Sequence, residues 1–108
     1  MPIFTPHQDS ALQAVAKWLK AKPGKEEIVA EFLAGAQHLV EAEPGTVAWF
    51  AVRFDAQTFA IFDAFENEAG RDAHLDGAVA AALMAHADEL LAIAPTIRKA
   101  NVLADKLP

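Results

Sequence analysis

The side chains able to do proton or metal chemistry are few and scattered. Histidine stands at His7, His38, His74 and His86, and the chain has no cysteine and no tyrosine. No two of these histidines have the short spacing that a zinc site uses, and without cysteine there is neither a thiolate ligand nor a thiolate nucleophile. Ser10 is the only serine, with no evident base beside it, and no glycine-rich phosphate loop occurs. His74 can act as a general base, because an imidazole titrates near neutral pH. The plainer reading makes it a helix-end histidine that packs or hydrogen-bonds locally. Asp63 lies in an apolar run. There its carboxyl pKa would rise unless it were paired, and Arg53 is within reach as the partner.

Asp63 and Arg53 both belong to one hairpin. Thr46–Phe54 and Thr58–Glu66 are rich in β-branched and aromatic residues and flank the polar turn Asp55-Ala56-Gln57. Strand side chains alternate between faces. Ala48, Phe50, Val52, Phe54, Ala60, Phe62 and Ala64 make one face, and it is wholly apolar. Val47, Trp49, Ala51, Arg53, Phe59, Ile61, Asp63 and Phe65 make the other. The purely apolar face is expected to meet helices. The second face is too apolar to be left to water, so it is expected to be the open sheet face that packs on a second copy in a homodimer or lines a small-molecule cleft.

The elements around the hairpin follow from local signals. Lys22-Pro23-Gly24 is a break, and Glu26-Glu27 suit the helix start that follows. Ile28, Val29, Phe32, Leu33, Ala36, Leu39 and Val40 recur at helical spacing up to Glu43-Pro44-Gly45. Helix formers predict a short helix over Glu68–Leu75 and a longer one over Ala78–Ile93, closed by Pro95. Thr96–Leu103 reads as a last strand. Ala11–Ala21 is ambiguous. Leu12, Val15 and Leu19 fit one helical face, and pattern alone favours a helix. A strand would instead complete a four-stranded antiparallel sheet in the order βαββαβ, which is the ferredoxin-like α+β arrangement. Without it a three-stranded sheet keeps an open edge.

Bulk properties narrow the function classes. The chain of 108 residues is one domain's worth, with residues 1–10 as an N-terminal arm and 11–108 as a single domain. Net charge is −6 and the only basic cluster is Lys17, Lys20, Lys22 and Lys25, which argues against nucleic acid as a partner. No apolar run is long enough to span a membrane and the first residues lack a secretory pattern, so the expected location is the cytoplasm.

Several short motifs occur together: Lys22-Pro23-Gly24-Lys25, Glu43-Pro44-Gly45, the hairpin, Phe65-Glu66-Asn67-Glu68, and Asp72-Ala73-His74-Leu75. In this order and spacing the chain resembles the antibiotic biosynthesis monooxygenase (ABM) family, which includes small quinol monooxygenases. The resemblance covers roughly residues 11–104, and the closing Ala104-Asp105-Lys106-Leu107-Pro108 is also similar to ends seen in that family. It implies a dimeric α+β barrel of two ferredoxin-like subunits, with Ala11–Ala21 as the first strand. It further implies an enzyme that oxidises a phenolic, quinol-like or polycyclic aromatic molecule with O₂, without metal or flavin. Other members degrade haem, and many have no known activity. The family often carries Glu in the third strand and Trp two residues later, and those positions are Asp63 and Phe65 here. The carboxylate is shorter and the indole N–H is lost. A Tyr is common where Trp49 stands, and His74 matches the family's histidine after the third strand.

The resemblance makes His74 and Asp63 the catalytic candidates, drawing a proton from a substrate hydroxyl. Trp49 and Phe65 would stack on a planar substrate, with Arg53 and Ile61 beside them. The expected cofactor is none. A haem-binding relative is a weaker alternative, since the indole is missing at Phe65. A non-catalytic dimeric barrel holding a small apolar ligand is the other alternative.

Overall fold

The computed structural model describes residues 12–107. The elements are β1 (Gln13–Lys20), α1 (Glu26–Gly35), α2 (Gln37–Glu41), β2 (Thr46–Arg53), β3 (Thr58–Phe65), α3 (Glu68–Leu75), α4 (Ala78–Leu90) and β4 (Thr96–Asn101). The strands form one antiparallel sheet in the order β2-β3-β1-β4. With helices packed against it, this is an α+β, ferredoxin-like fold. The predicted N-terminal arm lies outside the described residues.

The ambiguous first segment is a strand, against its helical pattern. β1 is central, pairing with β3 on one side and β4 on the other. Both rows of its backbone groups are thereby satisfied, which outweighs a small difference in propensity. Val15, Lys17 and Leu19 are buried while Trp18 is exposed, so the operative period is two. The hairpin runs as expected, with Asp55 Oδ1 accepting from the amides of Gln57 and Thr58 across the turn. The helix expected from Lys25 to Glu43 is interrupted at Ala36 and becomes α1 and α2. Val29, Leu33, Ala36 and Val40 remain on its buried side. Asn67 caps α3 by accepting from the Gly70 amide at 2.9 Å.

The main correction concerns the faces of the sheet. Phe59, Ile61, Asp63 and Phe65 are all buried beneath the helices. Trp49 and Ala51 are partly buried and pack on the same core. The wholly apolar set points the other way: Phe50, Val52, Phe54 and Phe62 are exposed, as is Trp18 of β1. The face bearing Asp63 can meet the helices because its polar groups find charged partners there. The apolar face is therefore the open one. Arg53 does not pair with Asp63 as predicted. It sits at the hairpin end, 2.7 Å from Glu27 and over the ring of Phe59. Among the described residues no helix is long and apolar enough to cross a membrane.

Candidate functional site

A buried charged network lies between the sheet and α3. Lys17 of β1 and Asp63 of β3 project from the helix-facing side of adjacent central strands. His74, in the last turn of α3, comes down between them. Its Nε2 lies 3.0 Å from Asp63 Oδ2 and 3.2 Å from Lys17 Nζ. Its Nδ1 lies 2.7 Å from Glu43 Oε1, which also accepts a 2.7 Å hydrogen bond from Thr46 Oγ1. Lys17, Asp63 and His74 are each 1% exposed or less. Glu43 is the member that reaches outward, its side chain one-fifth exposed. Phe65 packs on the imidazole with ring centroids 5.0 Å apart. Earlier in α3, Arg71 is buried and donates to the carbonyls of Ala14 and Ala100.

Close backbone packing sets this geometry. Glu66 N–H donates to Gly45 O, which ties the Glu43-Pro44-Gly45 turn to the start of α3. At Gly45 a Cβ would lie 3.1 Å from Gly70 Cα, and at Gly70 one would lie 3.2 Å from Gly45 O. Two glycines thus let the turn and the helix touch, and that contact holds Glu43 beside His74.

The charges are mutually adjusted. Burial disfavours the charged His74 ring, but the contacts to Asp63 and Glu43 outweigh it and the opposing charge of Lys17, so its pKa is raised above 6.5. Burial lowers the pKa of Lys17, against the pull of Asp63 and Glu43. The two bases are pushed toward each other. In one state the ammonium of Lys17 donates to an unprotonated Nε2 while Nδ1–H donates to Glu43. In the other the ring carries both protons, with Nε2–H facing Asp63. Lys17 and His74 therefore titrate as a coupled pair. The Asp63 contact is one of charge, without the alignment of a hydrogen bond, and Asp63 Oδ1 accepts none among the described residues.

A cleft of about 450 Å³ adjoins the network, between α2 and the edge strand β2. Glu43, Thr46 and Trp49 are on its wall. Of the residues predicted for the site, His74 and Asp63 are brought together but reach no cleft surface. Phe65 and Ile61 are sealed in the core. Trp49 borders the cleft, while Arg53 lies away at the hairpin end. A substrate held between Trp49 and Phe65, as the resemblance suggested, is incompatible with the burial of Phe65. His38 and His86 are exposed.

Sequence reading missed Lys17 and Glu43. Lys17 entered only as part of a basic cluster, although it is the single charge within Ala14-Val15-Ala16-Lys17-Trp18-Leu19, and its role emerges only once that segment is a strand. Glu43 was read as part of a helix stop. Among the described residues no group of His, Asp and Glu is arranged to hold a metal ion.

No family model matches the chain, and no curated protein matches it in sequence. Solved structures do. A protein of unknown function from Nitrosomonas europaea is 53% identical, with a TM-score of 0.88, covering 94% of this chain and 97% of that one. A second protein from Nitrosomonas europaea carries the provisional name antibiotic biosynthesis monooxygenase. It is 15% identical, with a TM-score of 0.76 over 93% of this chain and 94% of that one. A third, from Chloroflexus aurantiacus and provisionally named likewise, is 13% identical, with a TM-score of 0.69 over 88% of this chain and 96% of that one. The chain thus has the fold of antibiotic biosynthesis monooxygenases, and by its identity it belongs to the family of the first Nitrosomonas europaea protein of unknown function.

Proposed function

We propose that this protein is a monooxygenase-like enzyme that acts without metal or flavin on a phenolic, quinol-like or polycyclic aromatic molecule. The observation that carries the reading is the contact of His74 with Asp63 at 3.0 Å, behind a cleft walled by Trp49. A base that removes a hydroxyl proton leaves an electron-rich anion, and such an anion can react with O₂. One oxygen atom enters the product and the other leaves as water, with the electrons drawn from the substrate. His74 and Asp63 are sealed from the cleft, so they act as positioning residues from behind its wall. Haem chemistry through this histidine is disfavoured, because both ring nitrogens are already engaged.

A homodimer belongs to the same proposal. Trp18, Phe50, Val52 and Phe62 leave an apolar patch on the open sheet face, and a second copy would cover it. A barrel that only binds its aromatic ligand is the alternative, favoured by the burial of His74 and Asp63.

Oxygen consumption with a panel of hydroquinones separates the two. The enzyme reading expects uptake by the wild type. It also expects kcat to fall by about a hundredfold or more in folded His74→Gln and Asp63→Asn variants, with KM little changed. Absence of uptake across the panel sinks the enzyme reading. Unchanged kcat in the doubly substituted His74→Ala, Asp63→Ala protein sinks the assigned residues.

A further inference from the structure

We propose that the cleft between α2 and β2 takes a neutral aromatic molecule bearing a hydroxyl group, and that Glu43 is the catalytic residue that meets this hydroxyl. The chemistry rests on the monooxygenase reading above, whereas the binding does not.

Glu43 is the one charged member of the network described that also borders the cleft. Its two oxygens are not equivalent. Oε1 accepts from both His74 Nδ1 and Thr46 Oγ1, while Oε2 accepts no hydrogen bond among the described residues. The carboxylate is thus held by Oε1, while Oε2, which lies toward Gly77 at the junction of α3 and α4, takes no donor among the described residues and leaves acceptor capacity for a ligand hydroxyl at Glu43. His74, fixed in turn by Asp63 and Lys17, orients it.

The rest of the lining selects the class of ligand. Glu41 adds a second carboxylate, and among the described residues no lysine, arginine or histidine borders the cleft. An anionic ligand would meet like charge with nothing to offset it, whereas a neutral O–H donor finds an acceptor. Trp49 and Val40 supply apolar contact for a ring. The volume of about 450 Å³ falls within the range of small-molecule sites. In the proton step the substrate O–H bond breaks, the proton forms a new O–H bond at Glu43, and the electron pair stays on the substrate oxygen.

Isothermal titration calorimetry with naphthol, its methyl ether and hydroxynaphthoate tests the site. Wild-type protein is expected to bind naphthol about tenfold or more tightly than the ether, which lacks the donor, and than the naphthoate, which carries a charge. Glu43→Gln should shrink both preferences by about threefold or more, the residual rejection of the naphthoate coming from Glu41. Should that variant melt in circular dichroism, Glu43→Asp serves instead: the shorter acid should lose the preference over the ether yet still reject the naphthoate. Equal binding of naphthol and ether by the wild type overturns the proposal, as does undiminished discrimination by a folded Glu43→Gln protein. Oxygen uptake separates the two readings. Wild-type protein that discriminates but consumes no O₂ upholds the site and sinks the oxygenation. Uptake with an unchanged kcat in Glu43→Gln overturns the role of Glu43 and leaves the oxygenation standing.

Discussion

His74 sits between two acids and one buried base, and that arrangement ties protonation to stability. Its folded pKa is raised above the unfolded value near 6.5. A group raised in this way contributes stability that is fully present below 6.5 and is lost as pH climbs through the folded pKa. Urea midpoints for the wild type should therefore decline more steeply above pH 6.5 than those of His74→Gln, which has no proton to lose. Equal slopes would mean that the ring is not charged in the native state. Lys17 contributes with the opposite sign. Its pKa is lowered from 10.5, so the cost of burying its charge is relieved as pH rises toward that value. The charge of Lys17 also holds the His74 pKa down. Lys17→Met should consequently raise that pKa further, which an NMR titration of the imidazole resonances would detect. The direction is the prediction, and a fall would contradict the coupled pair.

At the scale of elements, the Glu43-Pro44-Gly45 turn and the start of α3 act as one unit. Gly45 has no room for a side chain, because its Cβ would meet backbone, Gly70 Cα at 3.1 Å. Gly45→Ala should cost about 1–3 kcal/mol in thermal or urea unfolding, the range for overpacking, and should loosen Glu43 from His74. An undiminished melting temperature would show that the turn can shift freely. β1 teaches a related lesson. Its sequence favours a helix locally, yet Val15, Lys17 and Leu19 must alternate with Ala14, Ala16 and Trp18 to fill the middle of the sheet. Lys17 enters the network only because this segment is a strand. A helical reading would have turned that charge to a different neighbourhood.

For the whole molecule, the decisive question is which side of the sheet the helices cover. The proposed dimer places Phe62 and Phe50 at an interface. Phe62→Glu should shift the protein from dimer to monomer in analytical ultracentrifugation, weakening association by about a hundredfold or more. A wild-type monomer at micromolar concentration would remove the need for a partner. Much of this architecture was legible beforehand. The hairpin, both later helices, the last strand and the sets of residues sharing each sheet face follow from periods of 2 and 3.6 and from proline and glycine stops. His74 and Asp63 were legible as chemical candidates by type and by resemblance. Alternation tells which residues lie together on a face, but it is silent about what that face meets. Apolarity alone pointed the wholly apolar face at the helices, and that was the wrong choice. The outcome turned on long-range pairing: Asp63 is buried beside residues 46 and 11 positions away, Lys17 and His74. Only the tertiary structure brings those charges to one point, where the acids lower the cost of burying the bases and the bases that of burying the acids. The hairpin's residues by themselves determined two faces, and the charges arriving from β1, α3 and the Glu43 turn decided which one is inside.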